Sequence, residues 1–335
     1  MLKLALDTLN RLRYKLPAKP RQVQIEITNR CNMTCPMCPR EDLEIELEHM
    51  EWDKFTAVVD QLQDREEITL TGWGEPFLHP RILDMIAWCK DRNHKVMITS
   101  NGLFPKPSMA DEILKSGLDA LTISIDSVEG NDHVQDGHTS KVVYQNIEAI
   151  ARRRQNGSPL LRLQSTLHAG CENDLYEVIR YGARLGIDKI NVGRLDQKYA
   201  PDLKRPGPME EERIFRNADK VARSYGIQLD WLQYSVSRGL TRFLYRLLRK
   251  KLHRSGKYCL KTFDNAYISR EGHVTPCCLL PESKMGNMLQ EDLTAIWQGP
   301  KFDHFRENYR DACGSCDLWT ISQVDTPPTG EGDRS

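Results

Sequence analysis

The sequence predicts an α/β protein: six strand–helix units that build a parallel sheet, followed by a small cysteine-rich α+β region. Three observations predict it. From residue 22 to about 226, short runs that alternate apolar with polar side chains take turns with stretches whose apolar residues recur every three or four positions. The chemically distinctive residues fall just past the strand-like runs. Beyond residue 230 the alternation stops and cysteines gather.

The strand-like runs come in order. Val23, Ile25 and Ile27 alternate with polar residues. Then come Ile68 to Thr71, Val96 to Thr99, Leu121 to Ile125, Leu161 to Ser165 and Lys189 to Val192. Between them, Phe55, Val58, Val59 and Leu62 share one helical face. So do Ile82, Met85, Ile86 and Cys89; Val142, Tyr144, Ile147 and Ile150; and Leu175, Val178, Ile179 and Ala183. Such units imply parallel strands joined by right-handed crossovers, closed either as an open sheet or as a partial barrel. Both closures put ligands at the C-terminal ends of the strands.

The expected organisation is a basic amphipathic segment over 1–21, a core over 22–229, a basic linker helix over 230–256, a cysteine-rich domain over 257–320 and a disordered tail over 321–335. The chain has 335 residues, 39% of them apolar, enough to bury a real core. Its formal net charge is zero, so the overall field predicts no nucleic-acid partner. No run of about twenty apolar residues predicts a membrane span, and Asp7, Asn10 and Arg11 break up any secretory signal. The expected compartment is the cytoplasm, where ten cysteines read as metal ligands or buried thiols rather than disulfides.

Cys31, Cys35 and Cys38 follow the first strand with CxxxCxxC spacing. A short loop carrying three thiolates can hold three irons of a cubane cluster and leave the fourth open to a small molecule. A zinc knuckle would need a fourth ligand, and neither His nor Cys follows closely. This pattern resembles the radical S-adenosylmethionine (SAM) superfamily. Thr71-Gly72-Trp73-Gly74-Glu75-Pro76 resembles that family's GGEP motif.

The resemblance implies a partial (β/α)6 TIM-like barrel, a SAM-binding 4Fe–4S cluster on the three cysteines, and SAM itself. It implies that Gly72, Trp73, Gly74 and Glu75 face the SAM amino group, with Ser124 and Asp126 near its ribose. It further implies Arg162 near the SAM carboxylate, Val192 against adenine through its backbone, and Met37 packing on the same base in place of the usual aromatic residue. Glu75 has the chemistry for this, since a carboxylate accepts strongly from an ammonium.

Cys259, Cys277, Cys313 and Cys316 form a second set, drawn from three segments, with Cys278 spare. Four thiolates can close a second cubane or one zinc tetrahedron. The layout resembles the twitch form of the SPASM domain, which implies one auxiliary 4Fe–4S cluster. Arg270-Glu271-Gly272 reads as a turn before a strand that presents Cys277. Cys89 is expected in the core, and Cys171 has no assigned role.

The resemblance implies reductive cleavage of SAM to a 5′-deoxyadenosyl radical and abstraction of a substrate hydrogen atom, with reduced flavodoxin or ferredoxin as electron donor. If the auxiliary cluster takes an electron from the substrate, the net reaction is an oxidation. The expected substrate is a small molecule, an alcohol, sugar or lipid-linked compound, with Arg194 and Asp196 handling its proton. The basic stretches, Arg238 to Lys257 and residues 1–21, suggest contact with an anionic membrane surface beside an ordinary packing role. The alternative is a maturase acting on a peptide or protein side chain. Only about twenty residues precede the first strand, which speaks against an N-terminal peptide-recognition domain. A non-enzymatic electron carrier or zinc-binding module is the alternative of another class.

Overall fold

The structure is a computed structural model that describes residues 16–42, 46–62, 67–128, 137–156, 158–196, 200, 202–231 and 264–313. Seven strands pair in parallel in chain order: β1 (Gln22–Ile25), β2 (Glu67–Leu70), β3 (Lys95–Ser100), β4 (Ala120–Ser124), β5 (Leu160–Leu167), β6 (Lys189–Arg194) and β7 (Gln228–Trp231). One helix follows each of the first six: α1 (Trp52–Val59), α2 (Ile82–Asp91), α3 (Met109–Lys115), α4 (Gly137–Arg153), α5 (Glu172–Arg184) and α6 (Pro208–Ser224). A doubly wound sheet would reverse its strand order part-way. This order has no reversal, so right-handed crossovers all fall on one side and the sheet curves as a partial barrel.

The register divides the side chains sharply. Val23, Ile68, Val96, Leu121, Leu163 and Ile190 lie on the helix-covered face and are fully buried. They pack with Phe55, Met85, Ile113, Ile147, Val178 and Ile214 of the helices into one core, each burial contributing roughly 1.5–3 kcal/mol. The opposite face carries Gln24, Thr69, Thr99, Thr122, Arg162, Gln164 and Asn191. It is the polar inner wall of the barrel.

Three details differ from the sequence expectation. Strand β7, with Trp231 packed on Phe215 of α6 at 4.0 Å between ring centroids, adds a seventh member to the sheet. On α4 the buried face is Val143, Ile147 and Ile150, an i, i+4, i+7 stripe, while Val142 is 40% exposed. The C-terminal region also joins the same sheet. β8 (Asn265–Ile268) pairs in parallel with β1, and β9 (His273–Thr275) and β10 (Gly286–Asn287) continue antiparallel. The chain turns between β8 and β9 at Gly272, whose φ of 84° suits glycine. Helices α7 (Leu293–Trp297) and α8 (Pro300–Cys313) complete this part. Arg306 stacks its guanidinium 4.4 Å from the centroids of both Trp297 and Phe302. The Trp297 indole donates to the Pro17 carbonyl at 3.0 Å.

Among the described residues, no helix is long and apolar enough to cross a membrane. The expected N-terminal amphipathic segment up to residue 15, the basic linker helix and the tail lie outside the described residues, as do Cys259 and Cys316.

Candidate active site

The site begins where β1 ends. Thr28 and Asn29 clamp the start of the cysteine loop. The Thr28 hydroxyl donates to the Glu48 carbonyl at 3.2 Å. The Asn29 amide donates to the Glu46 carbonyl and accepts from the Glu48 N–H, both at 2.6 Å. Cys31, Cys35 and Cys38 follow, all half-buried and none in a disulfide. A turn at Cys35 brings the Cys38 N–H to the Cys35 carbonyl at 2.9 Å. Burial pushes the Cys31 thiol up, so taking up iron would release its proton. Among the described residues no three Cys, His, Asp or Glu side chains converge on a point that would hold a single metal ion. The fit to an iron–sulfur cluster rests on donor chemistry, three thiols on one loop.

The turn after β2 is built against this loop. The Gly74 N–H donates to the Thr28 carbonyl at 3.2 Å and the Glu75 N–H to the Arg30 carbonyl at 2.8 Å. A Cβ on Gly74 would lie 2.4 Å from the Arg30 oxygen, and one on Gly72 would lie 2.3 Å from Glu26 Cγ. Gly74 thus lets backbone touch backbone, and Gly72 makes room for the Glu26 side chain. Gly74→Ala is expected to cost about 1–3 kcal/mol, because its neighbours are main-chain atoms that cannot swing aside. Thermal denaturation of the apoprotein and iron uptake on reconstitution would both fall.

Glu75 is 2% exposed. Its Oε1 accepts from the Phe77 N–H at 3.1 Å and the Ser100 hydroxyl at 2.9 Å, and its Oε2 accepts from the Asn101 N–H at 2.7 Å. The carboxylate that the sequence offered to an ammonium is therefore engaged inside the fold, fastening the end of β2 to the end of β3. Asn101 reaches on from there. Its amide lies 3.7 Å from Cys31 Sγ and 2.9 Å from Asn32 Oδ1. Burial raises the Glu75 carboxyl to about 7. A carboxyl raised in the folded state binds its proton more tightly there than in the unfolded chain. Stability present below about pH 4.5 is thus lost as the pH rises through about 7, on the order of 3 kcal/mol. Urea titrations of the apoprotein across that window should show this slope, and Glu75→Gln should flatten it.

The other expected contacts fall into three places. Ser124 and Arg162 lie on the inner wall, and Arg162 makes no ion pair among the described residues. Trp73 and Met37 are half-buried in the turn and the loop. Asp126 is buried, and its Oδ1 accepts from the Thr166 N–H at 2.5 Å, tying β5 to the end of β4. Val192 turns its side chain into the helix-side core, 2% exposed, which leaves only its backbone for a ligand.

Arg194 departs from expectation. It lies on the helix-covered face, where its guanidinium binds Glu211 of α6 through Nε at 2.5 Å and Nη2 at 2.9 Å. The two side chains are 5% and 9% exposed. Strand alternation turns it away from the inner wall, where a substrate proton would be handled. Asp196 lies half-buried just beyond β6.

In the second cysteine set, Cys277 and Cys278 are half-buried beyond β9, and Cys313 is buried at the end of α8. Sequence reading passed over Glu26 and Tyr267, and it noted Asn29 before the first cysteine and Ser100-Asn101-Gly102 after the third strand without giving them a role. The polar pair Thr28-Asn29 directly before the first cysteine was the available signal for the loop clamp.

A profile of the radical SAM superfamily matches residues 25–163, and a profile of the SPASM iron–sulfur cluster-binding domain matches 259–317. The chain carries a radical SAM domain. Its C-terminal part is a SPASM-type domain, and its cofactors are SAM and 4Fe–4S clusters, the auxiliary one held by cysteine. The chain is similar to the tungsten-containing aldehyde ferredoxin oxidoreductase cofactor-modifying protein of Pyrococcus furiosus, 25% identical over 88% of this chain and 86% of that protein. The PqqA peptide cyclase of Gluconobacter oxydans is 23% identical over 90% of this chain and 84% of that one. The crystal structure of Streptococcus suis SuiB bound to SAM shares the fold, with a TM-score of 0.70 at 16% identity over 96% of this chain and 76% of SuiB.

Proposed function

We propose that this radical SAM enzyme is a maturase that oxidises a side chain of a peptide or protein. The observation that carries the radical chemistry is the three-thiol loop at the end of β1, set against a polar inner wall of the barrel. The substrate class is supported by the likeness to PqqA peptide cyclase along nearly the whole chain. That likeness outweighs the expectation of a small alcohol, sugar or lipid-linked substrate.

When bound, the cluster and SAM supply the hydrogen-abstracting radical. The chain's own residues hold and orient. Cys31, Cys35 and Cys38 ligate the SAM-side cluster. Cys277 and Cys313, with Cys259 and Cys316, ligate the auxiliary one. Gly72 to Gly74 present backbone to SAM, Met37 packs on its base and Ser124 meets its ribose. Arg162, which makes no ion pair among the described residues, takes a carboxylate. Glu75 and Asp126 are positioning residues that fix the strand ends. The electron donor is a reduced flavodoxin or ferredoxin.

A second reading is modification of a small molecule or cofactor, favoured by the likeness to the Pyrococcus protein. The test is anaerobic turnover with SAM and dithionite, offering short peptides from the host's own genome in one arm and its small-metabolite extract in the other. Mass loss of a hydrogen pair on a peptide supports the maturase. Modification confined to the extract overturns it.

A further inference from the structure

We propose that the Asn101 side-chain amide donates a hydrogen bond to the Cys31 sulfur and so raises the reduction potential of the cluster that this cysteine ligates. This rests on the reading of Cys31 as a ligand of the SAM-side cluster.

Asn101, just past β3, is held from two sides. Its backbone N–H donates to Glu75 Oε2 at 2.7 Å, and its Oδ1 accepts from the Leu103 N–H at 2.8 Å. A backbone N–H only donates, so the second bond fixes which end of the amide is oxygen. The Nδ2 group therefore faces the cysteine loop, with two protons to give. One goes to Asn32 Oδ1 at 2.9 Å, and the other is directed at Cys31 Sγ at 3.7 Å, a reach that the large sulfur atom permits. Asn32 is fixed in turn, because its own amide donates to the Leu103 carbonyl at 2.8 Å. A carbonyl only accepts, so the Asn32 oxygen is the end left to meet Asn101. These bonds among residues 32, 101 and 103 latch the loop after β3 onto the cysteine loop and aim one amide proton at one sulfur.

A neutral thiol accepts weakly, whereas a thiolate on iron carries negative charge and accepts in a charge-assisted bond. Reduction adds an electron to the cluster and with it negative charge on the sulfurs, so the bond strengthens in the reduced state. Hydrogen bonds to the sulfurs are one of the levers that set the potential of such clusters. The amide thus favours uptake of the electron that SAM cleavage consumes, and its removal lowers the potential.

The experiment compares wild-type and Asn101→Ser proteins, reconstituted anaerobically, by redox titration followed with electron paramagnetic resonance. Serine is neutral, keeps an oxygen for the Leu103 N–H in the same kind of turn, and carries no proton that reaches Cys31. The SAM-side cluster is identified as the one whose signal changes when SAM is added. Its reduction equilibrium should fall about fivefold in the variant, about 40 mV at 59 mV per tenfold for a one-electron couple. A second measurement needs no variant to fold. Wild-type protein labelled with nitrogen-15 only in its asparagine side-chain amides should show a nitrogen-15 coupling to the reduced SAM-side cluster by electron–nuclear double resonance. An unmoved potential in the variant, or a wild-type spectrum without that coupling, overturns the proposal while leaving the ligand reading intact. A wild-type protein with no cluster signal that responds to SAM overturns the ligand reading, and this proposal falls with it.

Discussion

Cys35→Ala protein, reconstituted under anaerobic conditions and given SAM and dithionite, is expected to release no 5′-deoxyadenosine above background. Two thiolates on the loop after β1 cannot hold three irons of a cubane, so the loss is all or none rather than graded. Cys89→Ala provides the control. The Cys89 thiol is fully buried, and burial pushes it up to about 12, so it is neither thiolate nor ligand. That variant should cleave SAM normally, with a modest drop in stability. Replacing Cys277 or Cys313 should spare SAM cleavage while stopping product formation. Normal cleavage by the Cys35 variant would sink the assignment of the first cluster.

The second large effect concerns Arg194. Alanine at this position leaves the Glu211 carboxylate buried without its bidentate partner, and removing one member of such a pair costs about 3–5 kcal/mol. Arg194→Met combined with Glu211→Leu should recover most of that loss, because the desolvation of both charges disappears along with their attraction. Guanidinium unfolding of the apoproteins measures both. The double variant should cleave SAM at the wild-type rate per folded molecule. A double variant as stable as wild type but slow in turnover would return Arg194 to the chemistry.

The same residue shows where the sequence stopped being informative. The six strand runs, each read to within two residues, were legible because buried parallel strands are dense in Val, Ile and Leu and are cut by turn residues. The cysteine loop was legible because its spacing is itself the ligand geometry. Which way Arg194 faces was not legible, since it depends on counting alternation from an exact strand start, and Glu211 lies seventeen positions away on another element. The partners of Glu75 were hidden for a related reason. A carboxylate after a glycine turn looks available, and only the placement of Ser100 and Asn101 at the next strand end shows it engaged. β8 lay beyond periodicity altogether, because four residues carry too little pattern to announce pairing with a strand some 240 positions earlier.

That pairing has a consequence for how proteins of this design can be recombined. β8 zips along the outer edge of the strand that feeds the first cysteine loop, and Arg270 just beyond it binds Glu48, on the segment that anchors Asn29. Cutting the chain between β7 and β8 would bare a strand edge at the catalytic end of the molecule and loosen the anchor together. The C-terminal part is thus no detachable cassette. Grafting a foreign one requires its first strand to match the donor and acceptor ladder of Gln22–Ile25.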